Sequence, residues 1–311
     1  MEPAPTSSTP SMGLREWVLL LTLSLLWGGS FFFGKIAVGE WPPLVVVLSR
    51  VGLAALVLYL VLRARGLSMA VGRTMWLAFF GMGLLNNLIP FSLIFWGQTQ
   101  LQSGVSAILN ATTPLFGVIV AHLFATDEKA TPLKIAGVLA GIAGVAILMG
   151  PDALGGLQGA LLPQLACLGA ALSYGFAGLY GRRFRGLPPL VTAAGQLTAT
   201  TIMTLPLVLI LTPPSTLPVP SWNAGMALVA LALLSTALAY VIFFEIMRRA
   251  GGSNAMLVTF LIPVSAILMG VGLLGEVLLP RHFAGMGAIF LGLALIDGRL
   301  FRRGEKNVQR A

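Results

Sequence analysis

The chain has 311 residues, of which 57% are hydrophobic and only 9% are charged. Soluble domains are about one quarter charged, so this composition all but excludes a soluble enzyme or a soluble nucleic-acid-binding protein. The net charge of +9 at pH 7 does not favour nucleic acid either, because the basic residues lie in short segments between apolar runs. We therefore expect the lipid bilayer, and no nucleic acid, as the environment of this protein.

Ten apolar runs follow one another along the chain, and each is near the length of about 20 residues that a bilayer-spanning helix requires. The runs are 17–38, 43–62, 75–97, 102–124, 133–149, 159–181, 188–212, 222–247, 253–275 and 282–300. They are longer than the strands of a membrane barrel and lack the alternation of such strands. The predicted fold class is therefore an all-α integral membrane protein with ten transmembrane helices.

The two ends of the chain are predicted to be cytoplasmic tails. Residues 1–14 are rich in Pro, Ser and Thr and are expected to be disordered, and residues 301–311 form a basic tail. The first apolar run ends without the small-residue pattern of a signal-peptidase site, so we interpret it as a retained helix.

Lys and Arg are distributed unevenly between the two sides of the predicted bundle. Only Lys35 and Arg281 fall on the side away from the termini, and Arg50 falls within a helix. Cytoplasmic loops of membrane proteins carry an excess of basic residues, so we expect both termini in the cytoplasm. The membrane that we expect for this protein is a bacterial inner membrane. The residues on the terminal side are Arg15, Arg63, Arg65, Arg73, Lys129, Lys134, Arg182, Arg183, Arg185, Arg248, Arg249, Arg299, Arg302, Arg303, Lys306 and Arg310.

The two halves of the chain align with each other at a shift of about 148 residues. The aligned pairs are Gly137 with Gly285 and Gly144 with Gly292 at a shift of 148, and Pro114 with Pro263 and Asp127 with Glu276 at a shift of 149. Each half contains five helices, which is an odd number, so the second half enters the membrane in the opposite orientation. Inverted repeats are typical of secondary transporters, whose sites lie near the midplane between the halves. We therefore expect two repeats, 15–150 and 151–300.

The motifs in the two halves resemble a known membrane-transporter family. Leu26-Trp27-Gly28-Gly29-Ser30-Phe31, followed by Lys35, Pro43 and Arg50, resembles the opening of the EamA module of the drug/metabolite transporter superfamily. Pro114-Leu115-Phe116, then Asp127-Glu128 and the helix with Gly137 and Gly144, resembles the end of that module. The second half repeats this ending with Pro263, Gly275-Glu276, Gly285 and Gly292.

The second half departs from the pattern at its start, where Ser173 and Tyr174 replace Trp-Gly and Gln196 replaces the arginine. The resemblance implies ten helices in two inverted modules, with the fifth and tenth helices outside a central cavity. It also implies a transport activity, since the family includes exporters of amino acids and other metabolites.

The sequence contains no recognisable motif for catalysis or for cofactor binding. It lacks the Walker phosphate-binding motif, HExxH and paired cysteines, so ATP hydrolysis and a metal site are not expected. The single cysteine, Cys167, lies in an apolar run, and His122 and His282 are predicted on opposite sides of the membrane. We predict no catalytic residue, no metal and no cofactor, with a small-molecule substrate and a monomer or homodimer.

Uncharged polar residues at mid-helix depth are the main candidates for substrate contacts. Asn86 and Asn87 lie about eleven residues into the third predicted helix, and a buried amide requires a partner. An amide oxygen accepts from an ammonium group and an amide nitrogen donates to a carboxylate, which suits a zwitterion. Interhelical hydrogen bonding is the alternative for these amides. The predicted substrate-binding residues are Trp27, Asn86, Asn87, Asn110, Gln196, Ser235 and Tyr240.

Three charged residues inside or at the ends of predicted helices are candidates for gating or structural roles. Arg50 lies about seven residues inside the second helix, where it binds a substrate carboxylate or holds carbonyls and the loop carboxylate of Glu40. Glu245 and Asp297 lie near helix ends beside arginines and serve either local ion pairs or gating and proton traffic. Intramembrane charge is a default pointer to function.

Prolines inside three predicted helices indicate kinks. Pro90 follows Asn86 by one turn and frees a carbonyl of that turn. Pro114 and Pro263 occupy corresponding positions in the two halves. Such prolines fit either moving gates or static bends.

The sequence favours a secondary transporter of small neutral or zwitterionic metabolites that works by alternating access. The family resemblance implies export as the direction and amino acids, including aromatic ones, as the main substrates. A drug carrier or a carrier of nucleotide sugars or sugar phosphates is the alternative within the same superfamily. Phosphorylated substrates normally require several Lys or Arg in the site, and only Arg50 is embedded. A membrane enzyme or a non-transporting scaffold is a more remote alternative.

Overall fold

The computed structural model describes residues 12–126, 128–150, 161–213, 215 and 217–298, and the regular secondary structure within these residues is entirely helical. Ten long helices follow one another. They are α1 (Leu14–Val38), α2 (Pro43–Ala64), α3 (Arg73–Gln98), α4 (Ser103–Phe124), α5 (Pro132–Met149), α6 (Leu161–Phe184), α7 (Pro189–Leu211), α8 (Trp222–Ala250), α9 (Val258–Leu274) and α10 (Pro280–Asp297).

This architecture confirms the predicted all-α membrane fold. The first eight helices have at least 18 residues and are apolar enough to cross a bilayer, and α9 is a shorter apolar helix preceded by the single turn Gly252–Ala255. Most of the predicted tails, 1–14 and 301–311, lie outside the described residues, as do Asp127 and the predicted start of the sixth helix at 159. An even number of crossings puts the described ends of the chain, at α1 and α10, at one end of the bundle. We call this end the terminal end and the other the distal end.

Proline sets the start of several helices. Pro43, Pro132, Pro189 and Pro280 occupy the first helical turn of α2, α5, α7 and α10. At this position the missing N–H has no intrahelical acceptor and the fixed φ angle suits the helix. These starts fall within two residues of the predicted ones.

The inverted repeat is visible in the contact between α5 and α10. A methyl group added at Gly137 would lie 2.6 Å from the carbonyl oxygen of Gly292, and one added at Gly144 would lie 2.8 Å from that of Gly285. The shift of 148 residues carries Gly137 onto Gly285 and Gly144 onto Gly292. The contact of Gly137 with Gly292 is therefore the repeat equivalent of the contact of Gly144 with Gly285. This reciprocal contact is what a two-fold axis between the repeats requires, and it allows the two backbones to approach closely.

Two of the long helices contain a wide π-helical turn at the same place in the repeat. In α3 it covers Leu84–Leu88, and in α8 it covers Leu233–Leu238. A shift of 149 residues carries the first segment onto residues 233–237. The sequence patterns predicted ordinary helix at both places. Single π turns within α-helices often mark functional sites.

Helix α4, which was predicted as one continuous run over 102–124, is interrupted. Its first segment ends at Asn110 and its second begins at Thr113, with Pro114 in the first turn of the second segment. The N–H groups of Ala111 and Thr112 still bond to carbonyls of the preceding turn, so the interruption is tight. Pro263, the repeat equivalent of Pro114, lies inside the unbroken α9.

The helices pack as two groups around a central pair. Helix α1 packs against α8 and α9, and by the same repeat relation α6 packs against α3 and α4. Helices α2 and α7 contact each other in the centre, and α5 packs with α10. We call α1, α8 and α9 the first group, and α3, α4 and α6 the second group.

Candidate functional site

The π turn of α3 is held open by side chains from neighbouring helices. Pro90 has no N–H to donate to the turn before it, and the carbonyl of Leu85 instead accepts a hydrogen bond of 2.7 Å from Ser173 of α6. The carbonyl of Gly83 accepts one of 3.2 Å from Thr200 of α7. Exposed backbone groups inside a membrane helix require partners of this kind, and the turn therefore depends on α6 and α7 as well as on its own sequence.

Asn86 links three helices at the centre of the bundle. Its Nδ2 donates to Oε1 of Gln196 in α7 at 3.1 Å and to the hydroxyl of Tyr240 in α8 at 3.2 Å. Gln196 is buried, whereas Asn86 and Tyr240 remain partly exposed. The predicted contacts Asn86, Gln196 and Tyr240 therefore form one hydrogen-bonded unit that joins the two repeats.

Asn87 faces α7 alone. Its Nδ2 donates to Oγ1 of Thr200 at 3.2 Å, its side chain is fully buried, and its Oδ1 has no partner among the described residues. The single hydroxyl proton of Thr200 is shared between the carbonyls of Gly83, at 3.2 Å, and Gln196 one turn earlier, at 2.7 Å. Asn87 is thus an interhelical contact with one acceptor to spare.

Arg50 of α2 lies beside this unit and reaches the second π turn. Its Nε donates to Oγ1 of Thr236 at 2.9 Å, and Thr236 in turn donates to the carbonyl of Leu231. The Cζ atom of Arg50 lies 3.9 Å from the centre of the Phe91 ring, a geometry that favours cation–π attraction. The side chain is buried, and its partner Thr236 precedes Tyr240 by one turn of α8. We refer to Arg50, Asn86, Asn87, Gln196, Thr200, Thr236 and Tyr240 as the central cluster.

The expected contact between Arg50 and Glu40 is not present, which corrects that reading of the sequence. Glu40 accepts hydrogen bonds from the backbone N–H and the hydroxyl of Ser221 at the start of α8. These bonds, the one from the hydroxyl first, lower the pKa of Glu40 below its usual value. The Glu40 carboxylate of the α1–α2 loop thus lies at the N-terminus of α8, where negative charge is favoured. Arg50 is not bonded to Glu40 and donates to Thr236 in the interior instead.

Three of the predicted contact residues do not bond to the central cluster. Ser235 lies in the second π turn, and its buried hydroxyl has no partner among the described residues. Asn110 ends the first segment of α4, and its Oδ1 is likewise buried without a described partner. Trp27 packs against Phe243 with ring centres 5.3 Å apart. Phe243 contacts Phe244, which stacks on Tyr240, so Trp27 reaches the cluster only through a chain of rings.

The other two charged candidates lie at the terminal end. Glu245 forms ion pairs with Arg248 and Arg249, and Arg249 also lies 3.8 Å from the carboxylate of Glu16 in α1. Asp297 is the exposed last residue of α10.

Contacts at the distal end join the two groups of helices. Nζ of Lys35 in α1 donates to the carbonyls of Gln98 and Leu101, at 2.7 and 2.8 Å. The carboxylate of Glu276, in the loop after α9, accepts from the N–H groups of Ser103 and Gly104 and from the Ser103 hydroxyl. These donors form the start of α4, where N–H groups lack intrahelical partners and negative charge is favoured. We call the contacts of Lys35 and Glu276 the distal latch.

Polar contacts at the terminal end remain within each group, in the part of the chain that the structure describes. Glu16 and Arg249 join α1 to α8, and Arg182 of α6 pairs with Glu128, after α4, at 3.0 Å. The packing shows the same asymmetry, because α1 and α9 contact the first, distal segment of α4, whereas its second segment packs mainly on α6 and also against α5 and α10. In the described conformation, the two groups of helices are therefore held together at the distal end.

Sequence reasoning identified most polar residues of the central cluster but not the backbone geometry that positions them. It missed both π turns and the roles of Ser173, Thr200 and Thr236 as their partners. Among the described residues, no group of three or more His, Cys, Asp or Glu side chains is arranged to hold a metal ion.

Comparison with known proteins gives one family over both halves. The model of the EamA-like transporter family matches residues 15–150 and 161–297. The uncharacterized transporter YoaV of Bacillus subtilis is 26% identical over 254 residues, covering 81% of this chain and 86% of YoaV. The uncharacterized inner membrane transporter YedA of Escherichia coli K12 is 27% identical over 278 residues, or 89% of each chain.

One further relative and one solved structure are similar to this chain over most of its length. The protein PecM of Dickeya dadantii is 26% identical over 282 residues, covering 90% of this chain and 92% of PecM. A solved crystal structure with 22% sequence identity has a TM-score of 0.66 and spans 93% of this chain and 99% of its own, which shows a shared fold. With both repeats matched and related proteins named as transporters, the chain belongs to the EamA-like transporter family of the drug/metabolite transporter superfamily.

Proposed function

We propose that this protein is a secondary transporter that exports small neutral or zwitterionic metabolites, amino acids first, across a bacterial inner membrane. The observation that carries the proposal is the central cluster. It lies halfway along α3, α7 and α8, between two inverted repeats, and it includes both π turns. Transporters of inverted-repeat architecture bind their substrates at this place, where irregular backbone lines the site.

The charge of the cluster supports this substrate class over its alternatives. It contains one cation, Arg50, and uncharged amides and hydroxyls. A phosphorylated substrate normally draws several Lys or Arg, which makes a carrier of nucleotide sugars or sugar phosphates the weaker candidate. A cationic drug would favour a carboxylate in the site, and the acidic residues that the structure describes lie at helix ends or in loops.

The distal latch supports alternating access. The two groups of helices are tied at the distal end, and the central pair α2 and α7 provides an axis about which one group can rock against the other. The excess of Lys and Arg at the terminal end supports a cytoplasmic location of that end. The described conformation is then the one that takes up substrate from the cytoplasm, and release requires the distal latch to open.

Flux measured with purified protein in proteoliposomes tests the proposal. We expect efflux of at least one neutral amino acid down its own gradient, at a rate well above that of protein-free vesicles. Asn86→Ala, which removes the link between Gln196 and Tyr240, should abolish most of this flux. An absence of flux for amino acids, sugars, organic acids and amines alike would refute the proposed function.

A further inference from the structure

Arg50 carries a buried positive charge that has no negative partner within the described part of the chain. Its side chain is 6% exposed, and among the described residues it forms no ion pair. Burying an ion without a counter-ion is costly, so the position of this arginine requires a structural or functional reason. The carboxylates nearest in sequence are not its counter-ions, because Glu16 and Glu40 lie at opposite ends of α1 and bond to other residues.

The guanidinium is fixed so that one edge remains available. Its face lies over Phe91, and Nε is bonded to Thr236. Among the described residues this is the one hydrogen bond that the guanidinium makes, so both Nη groups remain without a protein acceptor. Two parallel N–H groups at the end of a guanidinium match the two oxygens of a carboxylate. The contacts with Phe91 and Thr236 therefore position Arg50 as a ready carboxylate receptor.

The surroundings of this free edge include aromatic rings and neutral acceptors. Tyr174 of α6 and Tyr240 of α8 pack against the same core as Phe91, over whose ring Arg50 lies, and both are partly exposed. A carboxylic acid with an apolar or aromatic body would place its charge on Arg50 and its body against these rings. The neighbouring polar groups of the central cluster are uncharged amides and a hydroxyl, those of Asn86, Gln196 and Tyr240.

We propose that the carboxylate is the group by which this transporter recognises its substrate, and that it binds to the free edge of Arg50. The substrate class is then small carboxylates with an apolar or aromatic body, of which amino acids are one case, and the substrate ammonium is not required. This inference rests on the proposed transport function and specifies its site. The carboxylate, whether it belongs to an amino acid or to a simple acid, neutralises the charge of Arg50, and no described carboxylate of the central cluster selects for an ammonium group.

Three probes with one carbon skeleton separate the two charged groups of an amino acid. Phenylalanine carries both groups, 3-phenylpropionate has only the carboxylate and phenethylamine has only the ammonium. We expect 3-phenylpropionate to be transported into proteoliposomes, and to raise the melting temperature of the purified protein, at least as effectively as phenylalanine. We expect no such effect from phenethylamine.

Arg50→Gln should weaken binding of both acids by about tenfold to hundredfold. Its melting temperature without ligand should stay within a few degrees of the wild-type value, because the variant removes an uncompensated charge. Arg50→Lys keeps the charge but loses the paired N–H groups, and we expect an intermediate affinity. Arg63→Gln, at the exposed end of the same helix, is the matched control and should bind both acids normally.

The outcomes distinguish this inference from the transport proposal. Transport of phenethylamine equal to that of 3-phenylpropionate, or normal binding of both acids by Arg50→Gln, would overturn the inference and leave transport established. A large fall in the melting temperature of both Arg50 variants without ligand would make Arg50 a structural residue and would also overturn it. Absence of flux for all solutes, including those without a carboxylate, would overturn both.

Discussion

Replacement of Glu276 by Gln should weaken the distal latch, although the contacts of Lys35 remain. The carboxylate accepts bonds of 2.6 and 2.9 Å from the N–H and the hydroxyl of Ser103 and one of 3.1 Å from the N–H of Gly104. A glutamine keeps one acceptor oxygen, so at least one of these bonds is lost, together with the negative charge at the start of α4.

The expected size of the effect follows from these contacts. A hydrogen bond to a charged group contributes about 1.5–3 kcal/mol, and charge at a helix N-terminus adds about 0.3–1 kcal/mol. The loss is then roughly 2–4 kcal/mol. Since about 1.4 kcal/mol corresponds to a tenfold change, the ratio of closed to open distal ends should fall by roughly 30-fold to several hundredfold.

Thiol accessibility in intact cells measures this shift. Ala107 lies in the first segment of α4, one turn beyond the latched residues, and is fully buried. In a background in which Cys167 is replaced by Ser, Ala107→Cys should be almost inert to a membrane-impermeant thiol reagent. The addition of Glu276→Gln should make it reactive from outside the cell.

Glu40→Gln is the matched control. Glu40 accepts the same kind of hydrogen bonds from Ser221, but these bonds connect the α1–α2 loop with α8, within the first group of helices. This variant should leave the reactivity of Ala107→Cys unchanged. Equal labelling with and without Glu276→Gln would refute the reasoning, as would equal effects of the two substitutions.

Four further predictions address the site, the packing, the orientation and the coupling. Asn86→Ala should reduce transport about tenfold to hundredfold with little change in melting temperature. Asn87→Ala, at a fully buried side chain, should instead lower the free energy of unfolding by about 1–3 kcal/mol. The reverse pattern in flux and thermal unfolding would contradict this assignment. Gly144→Ala should destabilise the protein by about 1–3 kcal/mol because the added methyl group would lie 2.7 Å from the N atom of Ile289, and Gly287→Ala, which meets open space, should be neutral in the same unfolding assay. Cysteines placed within 63–73 or 182–185 should label only from the cytoplasmic side, and labelling from outside intact cells would reverse the orientation. Export should continue when the pH gradient is collapsed at a constant solute gradient, because the described carboxylates lie away from the central cluster, and its complete arrest would direct attention to Glu245 and Asp297.

The sequence was sufficient for the parts of the fold that depend on composition and periodicity. Long apolar runs predict spanning helices because the bilayer leaves the backbone no other way to satisfy its polar groups. The repeat was readable from glycines such as Gly137 and Gly144, since close packing of helices requires small residues. The ten helices and the family are both confirmed.

Features that depend on partners distant in the chain could not be predicted in the same way. The π turn of α3 exists where Ser173 and Thr200 supply donors to its carbonyls, and nothing in the local sequence reports those donors. Arg50 has several candidate partners in the sequence, and only the fold assigns Glu40 to Ser221 and Arg50 to Thr236. A weak signal was present in the Asn86-Asn87 pair followed by Pro90, which disturbs a helix at mid-membrane depth.

Protection of a thiol by transported solute is the most direct measurement of whether the central cluster is the substrate site. Phe244 stacks on Tyr240, toward the terminal end of α8, so Phe244→Cys in the Cys167→Ser background reports on occupation of the cluster without altering its polar residues. Ser68→Cys, in the exposed α2–α3 loop, is the control. We predict that a transported amino acid or carboxylate slows labelling of Phe244→Cys in a saturable manner, with no effect at Ser68→Cys. Saturable transport without any protection of Phe244→Cys would contradict the placement of the site between the two π turns.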